Sequence, residues 1–209
     1  MLLKPMSPED WAAFFEAAIY ADDPVERDQA RGFIAQRAEP KQIKALIALL
    51  DAQFRASRRR AARILSEMRV EAVGSYLDKA LTNPNLSSRI RANAGRILGL
   101  LAPAEHPALG VGLKDKEARV RRACASRAAP ANALTEALTD EDMEVVERAA
   151  LALKSLGQID TDALEKALLH HEAPPETLVR LVAEFMPICL SSTQGEHAKA
   201  ARLDYVANE

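Results

Sequence analysis

The chain has 209 residues, of which 48% are hydrophobic, 28% charged and only 4% aromatic, and its formal net charge is −2. This length suits one compact domain or one continuous array of about five to seven helix pairs, and the hydrophobic share is that of a chain that folds. Abundant Ala and Leu with few aromatic residues favour helices over strands. The nearly balanced total charge does not by itself indicate a nucleic-acid or membrane partner.

The N-terminal residues contain no apolar segment of the kind found in signal peptides, and no run of 18 apolar residues occurs in the chain. We therefore expect no membrane insertion and a cytoplasmic location. The two cysteines, Cys124 and Cys189, lie far apart in apolar helical contexts, without a CxxC pair or zinc-ligand spacing. They are predicted to be buried thiols in a reducing compartment.

Turn-forming residues divide the chain into short helices. The first predicted helix begins at Pro8, after the capping residue Ser7, and its apolar residues recur at three- and four-residue steps. Asp22-Asp23-Pro24 ends it and starts a second helix, and Pro40 opens a third. Later breaks are expected at Asn83-Pro84-Asn85, Pro103, His106-Pro107, Pro130, Gly157 and Pro174-Pro175. Between the breaks we predict helices of roughly 10–16 residues and no strand.

One pattern recurs along the chain. It consists of a charged residue, two spacers, a small residue, and large apolar residues three to four positions later. The charged residue is Arg27, Arg58, Arg91, Arg121 and then Glu147, so the copies are 31, 33, 30 and 26 residues apart. A degenerate sixth copy is predicted near Glu176. This spacing is typical of a repeat made of two helices.

The small residue of the pattern has a physical role in such an array. The second helix of each repeat packs against the second helix of the next, and a small side chain at the closest approach lets the two helices come near each other. Ala61 and Ala94 are predicted to lie in this seam. A leucine at either position should therefore overpack it.

These residues resemble the HEAT-repeat family, in particular its short bacterial form of about 30 residues. In that family the second helix follows an acidic or Asn-Pro turn and reads Val-Arg-x-x-Ala-x-x-Ala-Leu-Gly. The best matches are residues 90–99, 120–123 and 146–157. Asp115 and Arg121 stand six residues apart, which is similar to the Asp–Arg pair of the family. The resemblance covers about residues 22–157, and it implies a solenoid that presents a long curved surface to a partner.

The predicted fold class is all-α, an α-α superhelix or solenoid of about five to six HEAT-like helix pairs. We expect a single helical-repeat domain over residues 1–190, with an N-terminal capping helix that carries Trp11, Phe14 and Phe15. Residues 191–209 are a polar tail, which is either a further capping helix or a disordered end.

The second helices of the middle repeats are strongly basic, with net charges of +5 over residues 54–69, +3 over residues 86–101 and +4 over residues 114–128. In a HEAT-like array the second helices line one face, usually the concave one, so the resemblance implies a basic stripe. The candidate partner-binding residues are Arg55, Arg59, Arg63, Arg89, Arg91, Arg96, Arg119 and Arg122. Such a stripe would attract an acidic protein segment, a nucleotide phosphate or a nucleic-acid backbone. Alternatively, these arginines are solvated, bridge neighbouring repeats or bond the carbonyls at helix C-termini, and they bind no ligand.

Catalytic constellations are not evident. His170 and His171 are adjacent, so on a helix they point about 100° apart, and they precede a helix-breaking segment; a solvated helix end is the predicted structure rather than a metal site. No Gly-rich phosphate loop, nucleophile elbow or metalloprotease motif occurs. The acidic pair Glu141-Asp142 lies near a predicted helix start, where the helix dipole favours negative charge. We expect no enzymatic activity, no metal and no cofactor.

Two enzyme-linked groups share the HEAT-like repeat. The repeat-based DNA glycosylases need aromatic side chains and a carboxylate in a basic groove, but the only Trp here is Trp11, and the middle repeats hold few aromatics beyond Phe54 and Tyr76. No residue carries the chemistry of the phycobilisome-lyase-like HEAT proteins. The leading hypothesis is a non-enzymatic adaptor or scaffold whose partner is another protein with an acidic surface or segment. A nucleic-acid-binding protein is the second hypothesis and a glycosylase the third, and the oligomeric state stays open.

Overall fold

In the computed structural model, the described residues are 8–172 and 174–185, and they form α-helices, one 3₁₀ helix and no strand. The helices are α1 (Pro8–Tyr20), α2 (Pro24–Arg37), α3 (Pro40–Leu49), α4 (Arg55–Glu67), α5 (Val70–Thr82), α6 (Ser88–Leu101), α7 (Pro107–Gly112), α8 (Ala118–Cys124), α9 (Ala131–Glu136), the 3₁₀ helix (Ala137–Thr139), α10 (Met143–Leu156), α11 (Thr161–His170) and α12 (Glu176–Phe185). Within these residues, no helix combines the length and the apolar character that crossing a membrane requires.

Successive helices contact each other in pairs. The pairs are α1 with α2, α3 with α4, α5 with α6, α7 with α8, α9 and the 3₁₀ helix with α10, and α11 with α12. The predicted all-α class is thus confirmed, and six pairs within the described residues agree with the predicted five to six.

The pairs fall into two compact units, divided between Pro103 and Ala104. In the first unit α2 contacts α4 and α4 contacts α6, and in the second unit α8 contacts α10 and α10 contacts α12. Second helices therefore stack on second helices within each unit, as the repeat pattern predicted. The single domain over residues 1–190 stays a prediction, and the tail over residues 191–209 lies outside the described residues.

The turn chemistry explains why the helices begin where they do. Asp23 caps α2, because its carboxylate accepts a hydrogen bond from the Val25 backbone N–H while Pro24 occupies the first helical position. Ser87 caps α6, because its hydroxyl oxygen accepts a hydrogen bond from the Ile90 backbone N–H. Gly157 ends α10 in the left-handed conformation, with φ of 65°, which glycine adopts without steric cost. The predicted breaks at Asp22-Asp23-Pro24 and Gly157 are confirmed.

Three helices of the second unit are shorter than predicted. Helices α7 and α9 have six residues each and α8 has seven, against an expected minimum of ten. Gly110 and Gly112 lower the helix propensity of α7. Gly110 also lies against the start of α9, where a Cβ would sit 3.3 Å from Cγ of Pro130. The missing side chain of Gly110 thus lets α7 lie close to the start of α9.

The N-terminal helix pair has an aromatic contact of its own. The Phe14 ring of α1 stacks on Phe33 of α2 with ring centroids 4.3 Å apart, and Trp11 lies 6.1 Å from the same ring. Trp11 is buried. Trp11 and Phe14 therefore stabilise the first helix pair, while the capping role of this helix stays a prediction.

The seam between second helices gives a stability prediction. Ala61 and Ala94 are both completely buried. Replacing Ala61 by leucine is expected to lower the free energy of unfolding by about 1–3 kcal/mol, because the added carbons have no room in a packed core. The exposed Ala56 lies on the same helix, so Ala56→Leu serves as the matched control and should change stability by less than about 0.5 kcal/mol. Urea unfolding monitored by circular dichroism would measure both, and equal effects would contradict the predicted seam.

Candidate partner-binding surface

The repeat arginines are structural residues. Arg27 donates from Nη1 to the carbonyl oxygens of Ala21 and Asp22, at 2.7 and 2.6 Å. Arg58 makes the corresponding bonds, both 2.8 Å long, to the carbonyls of Ala52 and Gln53. Each arginine stands at the fourth position of its helix and folds back onto the preceding turn. The turn carbonyls are thereby satisfied by a charged donor.

Arg91 also binds a carbonyl of the turn that precedes its helix. Its Nη1 donates to the carbonyl oxygen of Leu86, in the turn before α6. Only 3% of the residue is exposed. Arg91 was among the predicted partner-binding residues, but the structure places it in the core, where it holds the turn and does not reach a surface partner.

Arg121 of α8 adds carboxylate partners to this arrangement. Its Nη1 donates to the backbone carbonyls of Asp115 and Lys116, and its Nε and Nη2 form a two-pronged ion pair with Asp140 at 2.7 and 2.9 Å. Nη2 also lies 3.0 Å from Glu141 Oε1. The side chains of Arg121 and Asp140 are each only 9% exposed. The described bonds of Arg121 to Asp115 thus run through the backbone, and the ion pair joins α8 to the turn before the next second helix.

The neighbouring Arg122 is tied to the same region. Its Nε donates to Asp142 Oδ1 at 2.8 Å, and its Nη1 lies 3.1 Å from Glu144. The hydrogen bond from Arg122 is the main reason that the pKa of Asp142 lies below its ordinary value, and backbone N–H groups of α10 add to the effect against the opposing effect of burial. Arg122, another predicted partner-binding residue, is therefore largely neutralised within its own unit.

Low pH should weaken the contact between Arg122 and Asp142. Because the folded state lowers the pKa of Asp142 below its ordinary 3.8, the ionised carboxylate contributes stability that is fully present above that pH and is lost as the pH falls through the folded-state pKa. Asp142→Asn keeps a capping side chain for α10 but removes this titration. We expect the variant to lose less stability than the wild type between about pH 6 and pH 3, measured by urea unfolding. Identical losses would contradict the role assigned to Asp142.

Three of the predicted residues form a continuous exposed row on α4. Arg55, Arg59 and Arg63 are spaced four residues apart, so they lie on one side of the helix, and all three are exposed. Arg63 makes a 3.2 Å ion pair with Glu67, the next residue of the row. This row is the part of the predicted basic stripe in which several exposed arginines lie together.

The remaining predicted residues are more scattered. On α6, Arg89 pairs with Asp51 at 3.3 Å and Arg96 donates to the side-chain oxygen of Asn93 at 2.9 Å, and both side chains reach solvent. Arg119 is exposed on α8, in the second unit. The helices α4 and α6, which contact each other within the first unit, thus carry five of the accessible predicted residues.

Charge separates the two kinds of helix in the first unit. The second helices α2, α4 and α6 carry a summed net charge of +8, whereas the first helices α1, α3 and α5 sum to −2. In the second unit the carboxylates of Asp140, Glu141 and Asp142 face the arginines of α8. The basic surface therefore belongs mainly to the second helices of the first unit.

The other reactive side chains have structural surroundings. Cys124 is buried, and loss of hydration, aided by the negative charge of Asp115, raises the pKa of its thiol to about 12, which keeps it protonated and unreactive. His171 follows the last residue of α11, and its ring Nε2 lies 2.9 Å from the carbonyl oxygen of Leu138. Among the described residues no group of His, Cys, Asp and Glu has the arrangement of a metal site. Cys189 lies outside the described residues.

Sequence reasoning allowed that some arginines bond carbonyls at helix ends, but it used the repeat arginines as markers and did not assign this function to them in particular. Their constant position at the fourth residue of the second helix is a signal that could have revealed it, because a side chain there can reach back to the turn carbonyls. The partner of Arg121 was also missed, since Asp140 lies 19 residues further along the chain.

Fold and surface together define a helical-repeat protein of the all-α class, and comparison with known proteins agrees at the level of the fold. No family model matches the sequence, and no curated protein matches it either. A solved structure of Escherichia coli YibA is similar, with a TM-score of 0.57 and 18% sequence identity over 97% of this chain and 81% of that one.

Two further structures are more distant in geometry. An engineered protein shares 19% identity over 97% of this chain and 98% of its own, with a TM-score of 0.41. The complex of CpcE and CpcF of phycocyanin lyase from Nostoc sp. PCC7120 shares 19% identity over 96% of this chain and 95% of the matched chain, with a TM-score of 0.33.

Proposed function

We propose that this chain is a cytoplasmic, HEAT-like adaptor without enzymatic activity, and that it binds an acidic segment of another protein through the basic face of its first unit. The basic face is the exposed side of α4 and α6 that carries Arg55, Arg59, Arg63, Arg89 and Arg96. The observation that carries the proposal is the exposed row on α4 together with the +8 charge of the second helices. Such a surface attracts and orients negatively charged partners.

Apolar side chains beside the arginines favour a protein partner over nucleic acid. Phe54 directly precedes Arg55 and is 68% exposed, and Leu100 follows Arg96 by one helical turn and is 70% exposed. Protein interfaces combine exposed aliphatic or aromatic groups with arginines in this way. A duplex backbone would be bound chiefly through its phosphates and would leave both apolar side chains without a role.

A capture experiment with paired charge reversals tests the proposal. The test variant is Arg55→Glu/Arg59→Glu, and the control is Lys41→Glu/Lys44→Glu, which makes the same charge change at exposed positions of α3. The wild type and the control should retain from nuclease-treated lysate a protein that the test variant loses. The retained protein, once purified, should bind the wild type directly, and the test variant should bind it at least about tenfold more weakly.

Two results would overturn the proposal. Loss of binding in both variants would show that net charge, and not the basic face, holds the partner. Recovery of nucleic acid alone, with an affinity that falls linearly with salt concentration on logarithmic axes, would favour the nucleic-acid alternative.

A further inference from the structure

A cleft lies among α1, α2 and α4, and it shares only Arg63 with the exposed row of α4. It has a volume of about 200 Å³ and is open to solvent. Six residues line it: Ala18, Arg27, Asp28, Arg31, Arg60 and Arg63. Four of the six are arginines, so the cleft brings guanidinium groups from two neighbouring repeats into one small space.

The protein holds three of these arginines in place. Arg27 is bonded to the carbonyls of Ala21 and Asp22, and Arg60 donates from Nη1 to the carbonyl of Ile19. Arg31 donates from Nε to Glu67 at 2.8 Å and pairs with Asp28. Burial opposes the charge of Arg31, but the hydrogen bond and charge of Glu67, with those of Asp28, raise its pKa overall. The guanidinium groups are therefore charged and positioned before any ligand arrives, which lowers the entropic cost of binding.

The cleft still has positive charge and donors to offer. Four guanidinium groups face two carboxylates, those of Asp28 and Glu67, which leaves a surplus of two positive charges. The described hydrogen bonds engage only one nitrogen each of Arg27, Arg60 and Arg63, and a guanidinium group carries several further N–H donors.

We propose that this cleft binds a dianionic phosphate group. A charge surplus of two matches a phosphate dianion, and guanidinium forks fit phosphate oxygens in a two-pronged geometry. The volume is smaller than the roughly 300–1,000 Å³ of sites for drug-sized ligands, which suits a single small anion. The phosphate is either free or carried on a phosphorylated side chain of the partner, and the second source rests on the proposed function.

The test is a titration of the full chain with inorganic phosphate at constant ionic strength, followed through the arginine Nε–H signals in nuclear magnetic resonance spectra. The wild type should show saturable shifts of the Arg31 and Arg63 signals, and chloride should produce none. Arg63→Gln should weaken phosphate binding by about tenfold, the loss expected for one charge-assisted contact. Arg59→Gln, an exposed neighbour on the same helix that does not line the cleft, should bind as the wild type does.

A second arm identifies the source of the phosphate. A phosphoserine peptide with uncharged flanking residues is compared with its unphosphorylated form, and tighter binding than inorganic phosphate would support a phosphorylated partner. Binding of inorganic phosphate without the peptide would support the cleft and exclude that source. Absence of saturable binding, or equal weakening by Arg63→Gln and Arg59→Gln, would overturn the proposal. Arg55→Glu/Arg59→Glu leaves the cleft residues intact, so failure of the adaptor function would not be mistaken for failure of the phosphate site.

Discussion

Replacing Arg121 by methionine is expected to lower the free energy of unfolding by about 3 kcal/mol, the lower end of the range for removing one member of a buried ion pair. Methionine keeps an apolar stem of similar length, so the loss reflects the guanidinium group and not the packing of the stem. Asp140 would then be a largely buried carboxylate without its two-pronged partner. The carbonyls of Asp115 and Lys116 would lose a donor at the same time.

The matched control is Arg119→Met. Arg119 lies on the same helix two residues earlier and is exposed, so its replacement should cost less than about 0.5 kcal/mol. Denaturant unfolding of both variants at neutral pH is the measurement. Similar small effects from the two substitutions would show that the Arg121 network contributes little to the stability of the fold.

A double variant separates the cost of an uncompensated buried carboxylate from the other contributions of Arg121. Arg121→Met/Asp140→Asn removes both charges, while the asparagine side-chain oxygen still accepts the backbone N–H of Asp142 that Asp140 binds at 2.8 Å. We expect the double variant to be more stable than Arg121→Met alone, because no uncompensated buried charge remains. The stability that is not recovered then includes the lost attraction of Arg121 to Asp140 and Glu141 and the lost turn carbonyl contacts.

The repeat architecture could be predicted because it depends on local signals. Asp23-Pro24, Pro40 and Gly157 start and end helices through their own backbone preferences, and the structure places the boundaries there. Ala61 and Ala94 are spaced by one repeat and are both buried, as a seam of small residues requires. Turn chemistry and periodicity are properties of short segments, so they can be recognised in a single sequence.

Which arginines are structural and which are exposed could not be predicted from the sequence in the same way. Arg58 and Arg59 are adjacent and chemically identical, yet Arg58 binds the carbonyls of its preceding turn and Arg59 is exposed. Helix phase separates the two residues, and that phase depends on where α4 begins. The start of α4 at Arg55 follows Phe54, which provides no side-chain cap. A sequence without a capping signal at this point does not fix the phase closely enough.

Contacts between charged residues that are distant in sequence could not be predicted either. Arg31 of α2 binds Glu67 at the end of α4, 36 residues away, and this contact helps to form the arginine cleft. Local patterns predict that these helices stack but not which charged residues face each other across the stack. The phosphate cleft is therefore a result of packing between repeats and has no sequence motif of its own.

Helix α6 provides the second large effect, through two leucines that stand two residues apart. Leu98 is completely buried, whereas Leu100 is 70% exposed. Leu98→Ala should lower the free energy of unfolding by about 3 kcal/mol, because it removes buried carbons and leaves a cavity that the neighbouring helices fill only in part. Leu100→Ala removes the same atoms from a solvated position and should change stability by less than about 0.5 kcal/mol. Thermal and urea unfolding of the two variants would measure the difference.

The same pair of variants separates stability from binding. Leu100 belongs to the apolar part of the proposed partner surface, so Leu100→Ala should weaken capture of the partner by about tenfold or less while the unfolding midpoint stays near that of the wild type. If Leu100→Ala changes neither property, the exposed apolar residues beside the basic face do not contribute to recognition, and the argument for a protein partner over nucleic acid loses its main support. If it destabilises the fold as much as Leu98→Ala, Leu100 is covered in solution, and its exposure in the isolated chain marks a contact that the folded protein already makes with another molecule.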